Sequence, residues 1–122
     1  VILYSQPWNQ HISNKKLFAT TNSSTFPDGS IVDAQDYLWN AQWGSNNVVR
    51  YKRNGEIDFS IILPVSQPSC VAIGGPNLDW LIVTTAKQGL SSSAFSKEPL
   101  SGNLFIYQLT DCSGLIEPYC TI

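Results

Sequence analysis

Apolar residues in this chain fall in short runs, β-branched and aromatic, separated by clusters of turn-forming residues. The runs include Leu38 to Trp43, Val48-Val49-Arg50-Tyr51, Ile57 to Leu63, Val71-Ala72-Ile73, Leu81 to Thr85 and Leu104 to Tyr107. Between them lie Pro27-Asp28-Gly29, Gly44-Ser45-Asn46-Asn47, Arg53-Asn54-Gly55 and Gly74-Gly75-Pro76. Runs of about four to seven residues bounded by such clusters predict strands joined by tight turns. Helix formers are scarce, with 3 Glu and 6 Ala against 15 Ser, 9 Asn, 8 Gly and 7 Pro. The pattern predicts an all-β fold with no helix longer than about two turns.

Three segments share a layout. Ile2-Leu3-Tyr4, Val49-Arg50-Tyr51 and Phe105-Ile106-Tyr107 each end a strand in Tyr, pass through a polar turn and reopen at Ile12, Ile57 or Ile116. A second pair runs from Pro27-Asp28-Gly29 to Leu38-Trp39 and from Pro68-Ser69-Cys70 to Trp80-Leu81. The spacing of roughly 41–45 residues with four strands per unit matches one blade of a β-propeller. On this parse residues 1–20 form the outer hairpin of one blade and 28–64 a complete blade. Residues 68–122 form another complete blade, with 88–101 as a loop insert. That is about two and a half blades, and closure needs about four to eight. The expected partners are therefore missing blades of the same protein or copies of this chain. Trp39 and Trp43 share a strand face by their even spacing and are expected to pack between blades. In the chain alone, blade faces carrying Trp39, Phe59 and Leu81 are expected to meet water.

Composition narrows the function. With 7 Lys+Arg against 9 Asp+Glu the formal charge is −2, which argues against a nucleic-acid binder. No apolar run reaches the ~18 residues of a membrane-spanning helix, and no membrane partner is expected. The chain has no Met, so it is expected to be a processed product or a piece of something longer. Its 3 Cys match no zinc spacing. Cys70 reads as a small buried residue, and Cys112 and Cys120 as reduced thiols, with a Cys112–Cys120 disulfide as the alternative; a cytoplasmic setting is expected. The only His, His11, lies in a polar hairpin turn and offers no partner for a catalytic Cys.

An ordered set of residues carries a resemblance. It comprises Pro27-Asp28-Gly29, Asp33, Leu38-Trp39, Ala41, Trp43-Gly44, Val49-Arg50-Tyr51, Gly55 and Leu63-Pro64, then Pro68-Ser69-Cys70, Ala72, Gly74-Gly75, Leu81, Val83-Thr84, Ala86 and Gly102-Asn103-Leu104-Phe105. The chain resembles the C-terminal part of the senescence marker protein / gluconolactonase / luciferin-regenerating enzyme family, which includes regucalcin. The resemblance implies a six-bladed propeller with one divalent metal ion on its axis, hydrolysing a sugar or related lactone with metal-activated water. Calcium, magnesium, manganese and zinc are the candidates. The family's other ligands, a Glu and an Asn, come from earlier blades, so the metal would be held jointly with residues not in this chain. A non-catalytic propeller fragment serving binding or assembly is the alternative. The sequence departs from the family pattern at Asp36, where Gly is usual, and at Asn40, where an apolar residue is usual.

Asp28 is the candidate catalytic and metal-binding residue. It opens the innermost strand of its blade, which would place a carboxylate at the channel mouth, and hard cations take such oxygens. The resemblance assigns the matching Asp as metal ligand and proposes it as general base. The equivalent position one repeat later is Ser69, so a carboxylate occurs there in one blade only.

Overall fold

The computed structural model describes residues 1–5 and 13–117; His11, Ile12 and Cys120 lie outside the described residues. Strands β1 (Ile2–Ser5) and β2 (Ser13–Leu17) form an antiparallel pair. Strands β3 (Phe26–Val32), β4 (Leu38–Trp43), β5 (Asn47–Tyr51) and β6 (Ile57–Ile62) form a four-stranded antiparallel sheet in sequence order. Strands β7 (Pro68–Gly74), β8 (Trp80–Thr85) and β9 (Leu104–Gln108) form a third antiparallel sheet, also in sequence order. The all-β expectation holds. The stretch expected to be a plain loop insert contains a short helix, α1 (Ser92–Lys97), capped where the Ser91 side chain accepts from the Ala94 amide.

The core explains the order. Strands β4 and β5 are covered on both faces. On one face Trp39, Ala41 and Val48 join Val71, Ile73, Leu81 and Val83 of the third sheet in one buried cluster. On the other, Val49 and Tyr51 pack against Ala19 and Phe18, just after β2. One face of the middle sheet thus stacks on the third sheet, as in a radial stack of blades, and the segment just after β2 covers the other. Trp39 is fully buried in the cluster that joins the second and third sheets, as expected, and meets Phe59 of its own sheet edge-to-face at 5.3 Å; Trp43 is half-buried and belongs to neither core cluster. Trp39 and Leu81 therefore do not meet water in this chain, because the second and third sheets cover them; Phe59 does.

Strand register corrects the repeat alignment. Val32 pairs with Leu38, whereas Ile73 pairs with Leu81 and an added rung joins Gly74 to Trp80. Leu38 therefore corresponds to Leu81 and Asn40 to Val83. Among the large apolar residues left exposed are Ile57, Phe59 and Ile62 on β6 and Leu104 and Ile106 on β9. Four strands fill the second unit, while the third shows three strands among the described residues.

One buried polar cluster ties the second unit together at the turn between β3 and β4. Asp33, fully buried, accepts from the Gln35 and Tyr37 amides, from the Trp39 indole at 2.9 Å and from Arg50 Nε at 2.8 Å. Arg50 also pairs with Asp58 at 2.5 Å, reaches the Gln35 side-chain oxygen, and lies 4.2 Å from the centre of the Tyr37 ring. Asp36 holds a positive φ of 59°, the conformation that the usual Gly supplies more easily.

Burial alone would raise the Asp33 carboxyl, but the Arg50 guanidinium, the two amides and the indole outweigh it and hold the group below the usual carboxylate range. Glu98 is also lowered, chiefly by the Ser66 amide, with smaller help from the Ser66 and Ser101 hydroxyls against desolvation. A carboxyl with a depressed folded-state pKa stabilises fully above its unfolded value and loses that contribution as pH falls through the folded one. Unfolding temperature is therefore expected to drop as pH falls below about 4. A pH series of thermal melts should show a shallower drop in Glu98→Gln, and an unchanged slope would refute the Glu98 contribution.

Candidate functional site

Asp28 and Ser30 flank Gly29 in the first half of β3, and the backbone there is irregular. Pro27 pairs with Gln42 and Ser30 with Asn40, so Asp28 and Gly29 together oppose the single residue Ala41. That is a β-bulge, a device that re-aims side chains near sites. Strand β7 carries the matching irregularity: Pro68 pairs with Thr85 and Cys70 with Thr84, leaving Ser69 extra. The two bulges meet, since a Cβ added to Gly29 would lie 2.7 Å from Cys70 Cα and closer still to its Sγ. Only Gly permits this approach.

Cys70 is exposed, not buried as its apolar surroundings suggest. The bulge on an edge strand turns it out of the core.

Asp28 is exposed, and among the described residues its carboxylate takes part in no hydrogen bond or ion pair. The buried or paired carboxylates Asp33, Asp58 and Glu98 are all committed to neighbours. In the next sheet Ser69 Oγ is instead bonded to Thr84 Oγ1 at 2.9 Å. Free oxygen lone pairs suit a hard cation, so Asp28 fits the role of one ligand. It does not make a site alone: no group of three or more His, Cys, Asp or Glu side chains converges among the described residues. A cleft of about 940 Å³ lined by Gln35, Tyr37, Arg50, Lys52, Arg53 and Asp111 lies at the opposite end of β3. Its Arg50 and Arg53 are already paired with carboxylates, which leaves the Asp28 end as the better candidate.

The insert reaches the same end as Asp28. Residues 86–103 join the end of β8 to the start of β9. The insert is pinned there by Glu98, which accepts from the Ser66 amide and hydroxyl, both at 2.8 Å.

Antiparallel sheets in sequence order, two of them stacked face to face, define a propeller-type protein. The model of the SMP-30/Gluconolactonase/LRE-like region matches residues 3–87, and the chain belongs to this family. It is 43% identical over 98 residues to the L-arabinolactonase of Azospirillum brasilense, covering 80% of this chain and 32% of that protein. To a putative sugar lactone lactonase of Rhizobium meliloti it is 36% identical over 101 residues, covering 80% of this chain and 34% of the relative. Among solved structures, a calcium-binding regucalcin from Agrobacterium tumefaciens superposes with a TM-score of 0.82 at 31% identity, covering 90% of this chain and 37% of that one. A luciferin-regenerating enzyme superposes with a TM-score of 0.80 at 26% identity, over 93% and 39%. The chain spans about a third of the length of the curated relatives it matches.

Two features escape a reading of the sequence. The Asp33–Arg50–Asp58 cluster is signalled only by an Arg inside an apolar run, Val48-Val49-Arg50-Tyr51. Asn40 stands out in the sequence only as a departure from the family, and the structure places it directly behind Asp28.

Proposed function

We propose that these residues are the part of a six-bladed, divalent-metal-dependent lactonase that contributes Asp28 to an axial site, the rest coming from blades outside this chain. The observation that carries this reading is a free carboxylate on a bulge of the innermost strand, in a chain whose relatives are named for sugar lactones. When bound, a divalent cation supplies Lewis acidity toward the lactone carbonyl and makes water a stronger acid. Asp28 would be one of the residues holding the cation, and its carboxylate would orient the attacking water and accept its proton. The lactone C–O bond would then break, and the ring oxygen would take up the proton from Asp28 and leave as the hydroxyl of the hydroxy acid.

The test is a panel of aldonolactones presented to the full-length protein, before and after chelation. Hydrolysis that disappears with chelator and returns with one of Ca²⁺, Mg²⁺, Mn²⁺ or Zn²⁺ is expected. Metal-independent hydrolysis would refute the metal, and no hydrolysis of any lactone would refute the activity.

The outward-facing Ile57, Phe59, Ile62, Leu104 and Ile106 support a chain that needs neighbours. Expressed alone, the 122 residues are expected to self-associate. A monodisperse 13.5 kDa species in sedimentation would contradict this.

A further inference from the structure

Asn40 is almost fully buried on β4, at a place where Val83 stands in the next sheet. Its amide nitrogen donates to the Asp28 carbonyl at 2.9 Å and to Ser30 Oγ at 2.9 Å, while Ser30 Oγ also donates to the Asp28 carbonyl. The Asn40 Oδ1 atom is buried with no hydrogen-bond partner among the described residues. A residue kept only for stability would not leave a polar atom orphaned where a sister sheet uses Val. The bulge shifts the β3–β4 register at Asp28, and the Asn40 side chain holds the Asp28 carbonyl there. From the other side, Gly29 is pressed against Cys70. The bulge bearing Asp28 is therefore clamped between Asn40 and β7. The sister bulge has Ser69 in place of the carboxylate and Val83 in place of the clamp.

The geometry points to Asn40 as a positioning residue: it fixes the backbone of the bulge so that the Asp28 carboxylate is held at one angle toward the axis. This rests on the reading of Asp28 as a metal ligand. Groups that orient a ligand without touching the metal typically change affinity about 10–100-fold when removed.

The test compares wild type, Asp28→Asn, Asn40→Val and Ser30→Ala in the full-length protein, by calorimetric titration of the metal-free form with Ca²⁺ and Mn²⁺, by kcat and KM on a hydrolysed lactone, and by melting temperature. Asn40→Val is expected to melt no lower than wild type, to bind metal about 10–100-fold more weakly and to lose kcat with KM within about twofold. Ser30→Ala, at an exposed position, is expected to lose about threefold in affinity, since one arm of the clamp remains. Asn40→Val that melts as expected yet binds metal within about twofold of wild type overturns the positioning role. If Asn40→Val does not fold, unchanged affinity in Ser30→Ala overturns it instead. Asp28→Asn that keeps full affinity and turnover overturns the underlying site reading, whatever Asn40 does.

Discussion

Asp28→Asn in the full-length protein is expected to lose divalent-metal affinity by at least about 100-fold and lactone turnover by about 10²–10⁴-fold, with little change in stability. A cation on the axis is held by few protein oxygens, and one of them here carries a formal charge, so neutralising it removes a large share of the attraction. The general-base role disappears with the same substitution, because an amide oxygen does not take up the water's proton at neutral pH. Stability is expected to hold because Asp28 is exposed and its carboxylate has no partner among the described residues. What fixes the local backbone is the Asp28 carbonyl, bonded to Asn40, and the substitution leaves that carbonyl in place. Calorimetric titration and a lactone assay read both losses, and a melting curve reads the fold. A variant that keeps turnover within about tenfold would remove Asp28 from the site.

The second large effect is structural and lies at the other end of the same strand. Arg50→Ala is expected to destabilise the fold by about 3–5 kcal/mol, because it leaves Asp33 charged, buried and short of its main partner. Four contacts go at once: the pair with Asp33, the pair with Asp58, the bond to the Gln35 side-chain oxygen, and the stack on Tyr37. Arg50→Lys is expected to recover little, since a single ammonium cannot serve Asp33 and Asp58 with the guanidinium's fork or stack flat on the ring. Denaturant unfolding of the three proteins measures this. A loss under about 1 kcal/mol in Arg50→Ala would mean that the cluster behaves like an exposed ion pair.

Strand order and the all-β class were legible because they depend on local pattern. The runs ending at Tyr51 and Tyr107, and the Gly and Asn clusters between runs, fall where the strands and turns of the structure fall. Asp28 was a candidate because the family resemblance assigns the matching Asp and because Ser69 stands at the equivalent place one repeat later; the structure gives both positions a bulge after the proline. The bulges themselves were not legible: an extra residue in one strand is defined only by its partner strand, which a linear pattern does not contain. For the same reason the linear pattern sets Leu38-Trp39 against Trp80-Leu81, although pairing adds the Gly74–Trp80 rung and moves the correspondence along by a residue. Hydropathy marks Trp39 and Leu81 as apolar but does not say which sheet covers them; the neighbouring sheet within this chain does. Glu98 and Ser66 lie 32 residues apart, and nothing local announces their contact. The short helix from Ser92 rests on a serine cap in a segment without apolar periodicity.

The most direct test of Asp28 as one ligand of a shared site is lactone turnover by the 122-residue chain alone, beside that of the full-length protein, in Ca²⁺, Mg²⁺, Mn²⁺ and Zn²⁺. One carboxylate offers at most two of the roughly six to eight oxygens that Ca²⁺ takes. The full-length protein is expected to turn over and the isolated chain to show none. Robust metal-dependent turnover by the isolated chain would place the whole site within these residues and contradict a site completed by other blades.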